Sequence, residues 1–211
     1  MQAEGQDQDK ERFTRRLEAF SDLVFGFSLS LLATRLEVPA KASGILDVSK
    51  AVALLITFAL ICILWLQHYQ IFRRHFVAHP VQVVTNFIFL FGLALLPYAL
   101  QTFMRFTVEP AAIGLYFGDL ALVFICVATM RLGGLLQRRA DLDDAVRLRD
   151  WKRVVTQYLI SLFMIAIVVA VANGRLSPRI PFQFFFAAIA AIILAVRSMT
   201  RRVPKFLSAK R

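Results

Sequence analysis

Cysteine is scarce in this 211-residue chain. Cys62 and Cys126 are the two residues of that type, and each sits inside an apolar run, which excludes a secreted scaffold held by disulfides. Acidic residues are scarce too: 14 Asp+Glu stand against 25 Lys+Arg, leaving a formal net charge of +11. Charged residues make up 18% of the chain, below the roughly 25% of an ordinary soluble domain. No small-residue cleavage site follows an apolar core near the N-terminus, so the sequence shows no secretory signal peptide. What the chain has in quantity is apolar surface: 58% hydrophobic residues, 20 Phe among them, and a mean hydropathy of +0.63. That excess disfavours a disordered tail and a nucleic-acid-binding domain, whose basic groove needs far less apolar mass. A multi-span membrane protein reconciles the excess with the charge, provided the charges sit outside the apolar segments.

Apolar stretches of about 20 residues, enough to cross a bilayer core as helices, follow one another along the chain. The pattern predicts six spans, 20–38, 51–72, 81–106, 111–136, 154–173 and 181–199, separated by Pro39, Pro80, Pro110, Gly174 and Pro178. The expected fold is therefore all-α and polytopic. Residues 1–15 read as a polar cytoplasmic tail whose first dozen residues are flexible, 16–200 as the six-helix transmembrane domain and 201–211 as a basic cytoplasmic tail.

Basic residues set the orientation. On one side lie Lys10, Arg12, Arg15 and Arg16, then Arg73 and Arg74. Seven more cluster from the end of span four to the start of span five, Arg131 to Arg153, and six from the end of the last span onward, Arg197 to Arg211. These nineteen face Arg35, Lys41, Lys50, Arg105, Arg175 and Arg179 on the other side. An even span count then places both termini in the cytoplasm of a multi-pass cell-membrane protein. The basic C-terminal run also suits contact with anionic lipid.

Polar residues inside spans are costly and therefore informative. Asp22 lies six residues past Arg16, roughly 9 Å along a helix. His68 precedes the Arg73–Arg74 pair by about the same distance with Trp65 one turn deeper, and Asn86 lies six residues beyond Pro80. Three adjacent spans thus bring Ser21, Asp22, His68 and Asn86 to one depth, with Trp65 beside them and Arg16 reaching in from the membrane edge. An interhelical hydrogen-bond clasp satisfies them all. A proton relay is the alternative, and it would draw on Asp119, an acid inside span four with no evident partner. No second carboxylate and no metal-ligand spacing accompanies His68, while His75 and His79 fall in the connection, so no enzyme, metal or cofactor site is expected.

Span one differs in a second way. Gly26, Ser28, Ser30 and Thr34 alternate with large apolar groups, a composition that suits close helix packing or a narrow wet path. Phe27, Leu31 and Thr34 share one face by i, i+4, i+7 spacing. Elsewhere Phe184–Phe186 read as apolar filler, Trp151 and Tyr158 as an interfacial belt, and Asp141–Asp144 as a solvated loop or short helix extension.

These residues resemble one family closely. Arg16-x-x-x-Phe20-Ser21-Asp22 is similar to the first-helix R-x-x-x-F-S-D signature of the TMEM175 potassium channels. Trp65-x-x-His68 resembles the family's W-x-x-H pattern, and Asn86 with the Leu96-Pro97-Tyr98 turn resembles its N…L-P-F pattern. The resemblance implies a homotetramer with helix 1 of each subunit around a central pore, conducting K⁺ and other monovalent cations without nucleic-acid partner or cofactor. It also implies a constriction of bulky apolar side chains rather than a carbonyl filter; the chain has no T-V-G-Y-G segment. Carried over by spacing from Phe20-Ser21-Asp22, the pore positions are Phe27, Leu31 and Thr34, the stripe that periodicity picks out. Phe27 stands where an aliphatic residue is usual, Thr34 where leucine is common and Ser30 where threonine is frequent. The mechanism expected is passive conduction with modest selectivity for K⁺ over Na⁺, with Glu37 and Asp22 available to attract cations. The alternative is a proton-coupled or proton-conducting transporter using Asp22, His68 and Asp119.

Overall fold

A computed structural model describes residues 2–34, 48–76, 78–137 and 144–175. They form five helices in chain order: α1 (Gln2–Thr34), α2 (Val48–Arg74), α3 (Pro80–Arg105), α4 (Pro110–Gln137) and α5 (Asp144–Ala172). Each contains a segment long and apolar enough to span a bilayer. The sixth expected span, residues 181–199, and the C-terminal tail lie outside the described residues, as do the outer end of span one and Glu37.

The helix ends follow local chemistry. Pro80 and Pro110 open α3 and α4, where a missing N–H removes a donor that has no intrahelical acceptor anyway. The chain turns between those helices in four residues, and the Glu109 carbonyl accepts from the N–H groups of Ala112 and Ile113, both at 3.1 Å. At the end of α5, Gly174 takes a positive φ of 65°. Its N–H bonds the Val171 carbonyl at 3.0 Å, while the Arg175 N–H reaches the Ala170 carbonyl at 2.9 Å, the paired closure that glycine allows.

Two local expectations need correction. The first dozen residues are not a flexible tail: from Gln2 they continue α1 as a helix. Eight of residues 2–15 are Gln, Glu, Lys or Arg, which lose little side-chain freedom in a helix, and Arg15 pairs with Glu11 one turn away. The helix α5 begins at Asp144, ten residues before its apolar span, an extension of the kind read there from the sequence. Finally, Leu96-Pro97-Tyr98 is not a turn, because Pro97 lies inside α3, which runs on to Arg105. Buried helix neighbours tolerate the missing hydrogen bond of a proline within a membrane bundle.

The helix α4 is the hub, packed along α5 on one side, α3 on another and α2 on a third. Its apolar residues from Ile113 to Met130 meet Phe89, Leu93 and Leu96 of α3 in one continuous core. Lipid tails are as apolar as leucine, so such helices are held by close packing and hydrogen bonds. Both occur here. Thr129 and Tyr158 share a 3.0 Å hydrogen bond between α4 and α5, and Gly92 of α3 sits so near α4 that a Cβ would come within 2.9 Å of Val123. Among the described elements α1 touches α2 and α3 alone, at the edge of the bundle.

Candidate functional site: a polar clasp behind an exposed helix face

The inward face of α1 is set by residues 17, 21, 25, 28 and 32, a 3.6-residue spacing that buries Leu17, Ser21, Phe25, Ser28 and Leu32. Ser21 donates its hydroxyl proton to the Leu17 carbonyl at 2.8 Å. Its oxygen then accepts from Asn86 Nδ2 of α3 at 3.2 Å. The carbonyl oxygen of Asn86 meets His68 Nε2 of α2 at 2.8 Å. An amide oxygen only accepts, so His68 carries its proton on Nε2 and donates. The direction runs His68 to Asn86 to Ser21 to Leu17, and each of the three bonding steps has a donor and an acceptor. Ser21, Asn86 and His68 are all buried, so a broken link would leave a polar group without water to replace it. Aromatic rings box the imidazole: Phe89 stacks on it with centroids 5.4 Å apart, Phe72 lies tilted at 4.5 Å and Phe25 meets it edge-on at 5.5 Å.

Asp22 and Arg16 are placed differently from the sequence expectation. Asp22 is exposed and accepts from the indole N–H of Trp65 at 2.9 Å, and that indole stacks on Tyr69 with centroids 6.1 Å apart. Arg16 makes no hydrogen bond or ion pair with the clasp among the described residues and is exposed. Five residues separate Arg16 from Ser21, which turns the two about 140° apart around a helix. The guanidinium therefore starts from the outward face while the clasp lies inward.

That outward face carries the other candidate residues. Leu23 is 72% exposed and Phe27 61%, while Ser30 and Thr34 are exposed and Leu31 half-buried. Ser30 donates to the Gly26 carbonyl at 2.9 Å and Thr34 to the Leu31 carbonyl at 3.1 Å. The hydroxyl protons are thus used within the helix, leaving oxygen lone pairs for whatever faces it. Phe20 belongs to the same stripe and meets the edge of Phe87 at 6.1 Å.

Other intramembrane polar residues lie away from the clasp. Asp119 is buried on α4 with no hydrogen-bond partner for either carboxylate oxygen, and Oδ1 would be 3.1 Å from a Cβ placed on Gly92. Arg131 belongs to the cytoplasmic basic set in the sequence, yet it is fully buried in the bundle. Its Nη1 lies 3.8 Å from Asp150 Oδ1, and His75 Nε2 lies 3.0 Å from Asp150 Oδ2. Sequence reasoning missed this cluster. The available signal was an arginine at the end of an apolar run, followed after Leu132 by Gly133 and Gly134. No group of three His, Cys, Asp or Glu side chains able to hold a metal occurs among the described residues.

Comparison with known proteins bears on the same segment. The family model for the endosomal/lysosomal potassium channel TMEM175 matches residues 16–97, which carry the clasp and the exposed stripe. A protein of Marivirga tractuosa described as a potassium channel is 32% identical over 95 residues; the match covers 44% of this chain and 38% of that relative's length. Two solved structures share the fold. One is a variant of the potassium channel MtTMEM175 bound to a nanobody–MBP fusion, with a TM-score of 0.66, 19% identity and coverage of 89% of this chain and 93% of the other. The second is a lysosomal potassium-selective channel TMEM175 homologue from Chamaesiphon minutus, with a TM-score of 0.58, 20% identity and coverage of 88% and 98%. The chain is thus similar in sequence to the TMEM175 family over residues 16–97, and it shares the fold of the solved TMEM175 channels over most of its length.

Proposed function

We propose that the protein is a passive, modestly K⁺-selective cation channel of the cell membrane. Its pore would be an apolar constriction formed by α1 of four subunits. The observation that carries this reading is the two-sidedness of α1. One face is buried against α2 and α3, while the opposite one, with Phe27 at 61% exposure, meets little of the other described helices over the membrane-spanning length. In this reading Phe27 and Leu31 form the dry ring, and Ser30 and Thr34 add hydroxyl oxygens toward the outer end. K⁺ holds its hydration shell less tightly than Na⁺, so stripping part of that shell at an apolar ring favours K⁺. With no ligands to reward the loss, discrimination stays modest, and the same ring can gate by dewetting. The clasp of Ser21, Asn86 and His68 holds the pore helix, and Asp22 with Trp65 braces its inner end. Six spans per subunit and cytoplasmic termini complete the proposal, supported by the asymmetry of basic residues along the chain.

Purified protein in liposomes tests the reading. K⁺ flux above that of empty liposomes is expected, and Leu31→Ala should change the K⁺/Na⁺ ratio by several-fold without loss of folded protein. Absence of flux above the empty control would end the channel reading. A second reading, a proton-coupled transporter, draws its support from Asp119, a buried carboxyl with no hydrogen-bond partner. It requires saturable, pH-driven uptake that Asp119→Asn abolishes.

A further inference from the structure

The helix α2 leads to a second buried histidine, seven residues beyond the clasp. The His75 N–H bonds the Ile71 carbonyl at 2.7 Å, so helical geometry persists to it. Seven residues bring a side chain back to within about 20° of the same direction. An aromatic column leads away from the first imidazole toward this end of the helix: Phe72 lies 4.5 Å from the His68 ring, and Phe76, the residue after His75, stacks on Phe72 at 4.1 Å with planes 10° apart. One end of the column meets the clasp that holds α1. The other end is gripped by α4 and α5.

The α4–α5 side holds this stretch at three points, from Gln67 beside the clasp to His75 just past the end of α2. Gln157 of α5 donates to Gln67, Arg153 Nη1 donates to Gln70 Oε1 at 3.0 Å, and His75 Nε2 meets Asp150 Oδ2 at 3.0 Å. The His75 backbone is also pressed onto Gly134 of α4, where a Cβ would collide with the His75 carbonyl oxygen. Asp150 is the keystone of this end. Its Oδ1 faces Arg153 at 3.4 Å and Arg131 at 3.8 Å, and Nε and Nη2 of Arg131 have no hydrogen-bond partner. One buried carboxylate thus serves three basic side chains from α2, α4 and α5.

We propose that His75 and Asp150 are positioning residues for α1: the α4–α5 half of the bundle sets the seat of the helix through the C-terminal turns of α2, a stiff rod of two turns with a buried histidine at each end. The functional meaning rests on the reading of α1 as the pore helix, but the coupling does not require conduction.

The chain has two tryptophans, Trp65 and Trp151. With Trp151→Phe as background, Trp65, bonded to Asp22 of α1, reports the seat of that helix. In full-length oligomer, His75→Ala should red-shift Trp65 emission, raise its quenching by acrylamide and change the K⁺/Na⁺ flux ratio. His75→Gln, whose amide N–H can replace the Nε2 donor, should restore all three. Asp150→Asn, close in shape, should produce the same shift in smaller measure. Unchanged Trp65 emission in a folded His75→Ala protein would overturn the proposal. Collapse of both His75→Ala and Asp150→Asn to misfolded protein would overturn it too, because the cluster would then determine folding rather than position. A Trp65 shift in a protein whose parent carries no K⁺ flux would keep the coupling and discard the channel reading.

Discussion

Two buried polar clusters stand at the two ends of the α2 column, and they are built differently. The Ser21–Asn86–His68 clasp is formally neutral, and its donors and acceptors alternate along one directed chain that ends on the Leu17 carbonyl. The cluster at the end of α4 is ionic and oversupplied with donors: His75, Arg131 and Arg153 converge on Asp150. Position accounts for the contrast. The clasp holds three helices together inside their apolar spans, where an unpaired charge is hardest to accommodate. The ionic cluster lies where α2 ends and α5 begins, near the basic ends of both helices, and a partly exposed Arg153 joins it from the surface. A neutral chain fixes geometry with little at stake per link, whereas a buried carboxylate shared among cations makes its own removal costly.

The comparison can be broken most forcefully at Asp150. Asp150→Leu leaves the buried Arg131 without its counter-charge and should cost about 3–5 kcal/mol, the usual result of removing one partner of a buried ion pair. A sharp drop in monodisperse protein on gel filtration would record it. Replacing both partners, Asp150→Leu with Arg131→Met, should recover most of that loss, since apolar pairs of similar volume replace buried ion pairs well. Asn86→Leu should cost less, about 1–3 kcal/mol, because the His68 Nε2–H loses its acceptor while no charge is stranded. Thermal melting followed by circular dichroism would rank it below Asp150→Leu, and the reverse order would refute the distinction between the clusters. Smallest is Trp65→Phe, which removes an exposed hydrogen bond to Asp22 and should change stability by about 1 kcal/mol or less in the same melting assay.

Much of this architecture is legible in the sequence, for identifiable reasons. Helix positions follow from apolar runs of bilayer length punctuated by Pro80, Pro110 and Gly174. The meeting of Ser21, His68 and Asn86 follows from equal depth on three successive spans. Partner identity is less legible, because depth says nothing about azimuth: Arg16 and Asp22 stand at plausible heights, yet Arg16 faces outward and Asp22 finds Trp65 instead. The His75–Asp150 contact joins residues 75 apart in sequence. No periodicity links them, and the contact becomes visible only once α4 and α5 are packed beside α2. The helical continuation of α1 to Gln2 was hidden by its polarity, since composition alone does not separate a charged helix from a mobile tail.

The central claim is that the outward face of α1, and not its buried face, meets the ion path. Ser30 and Ser28 sit two residues apart on opposite sides of that division, one exposed and the other fully buried with its hydroxyl bonded to the Val24 carbonyl at 2.8 Å. The direct measurement is K⁺ flux through liposomes containing Ser30→Cys or Ser28→Cys protein, before and after a positively charged thiol reagent. The account predicts that modification blocks flux in Ser30→Cys and leaves Ser28→Cys unaffected. Block confined to Ser28→Cys, or full flux through the modified Ser30→Cys protein, would contradict it.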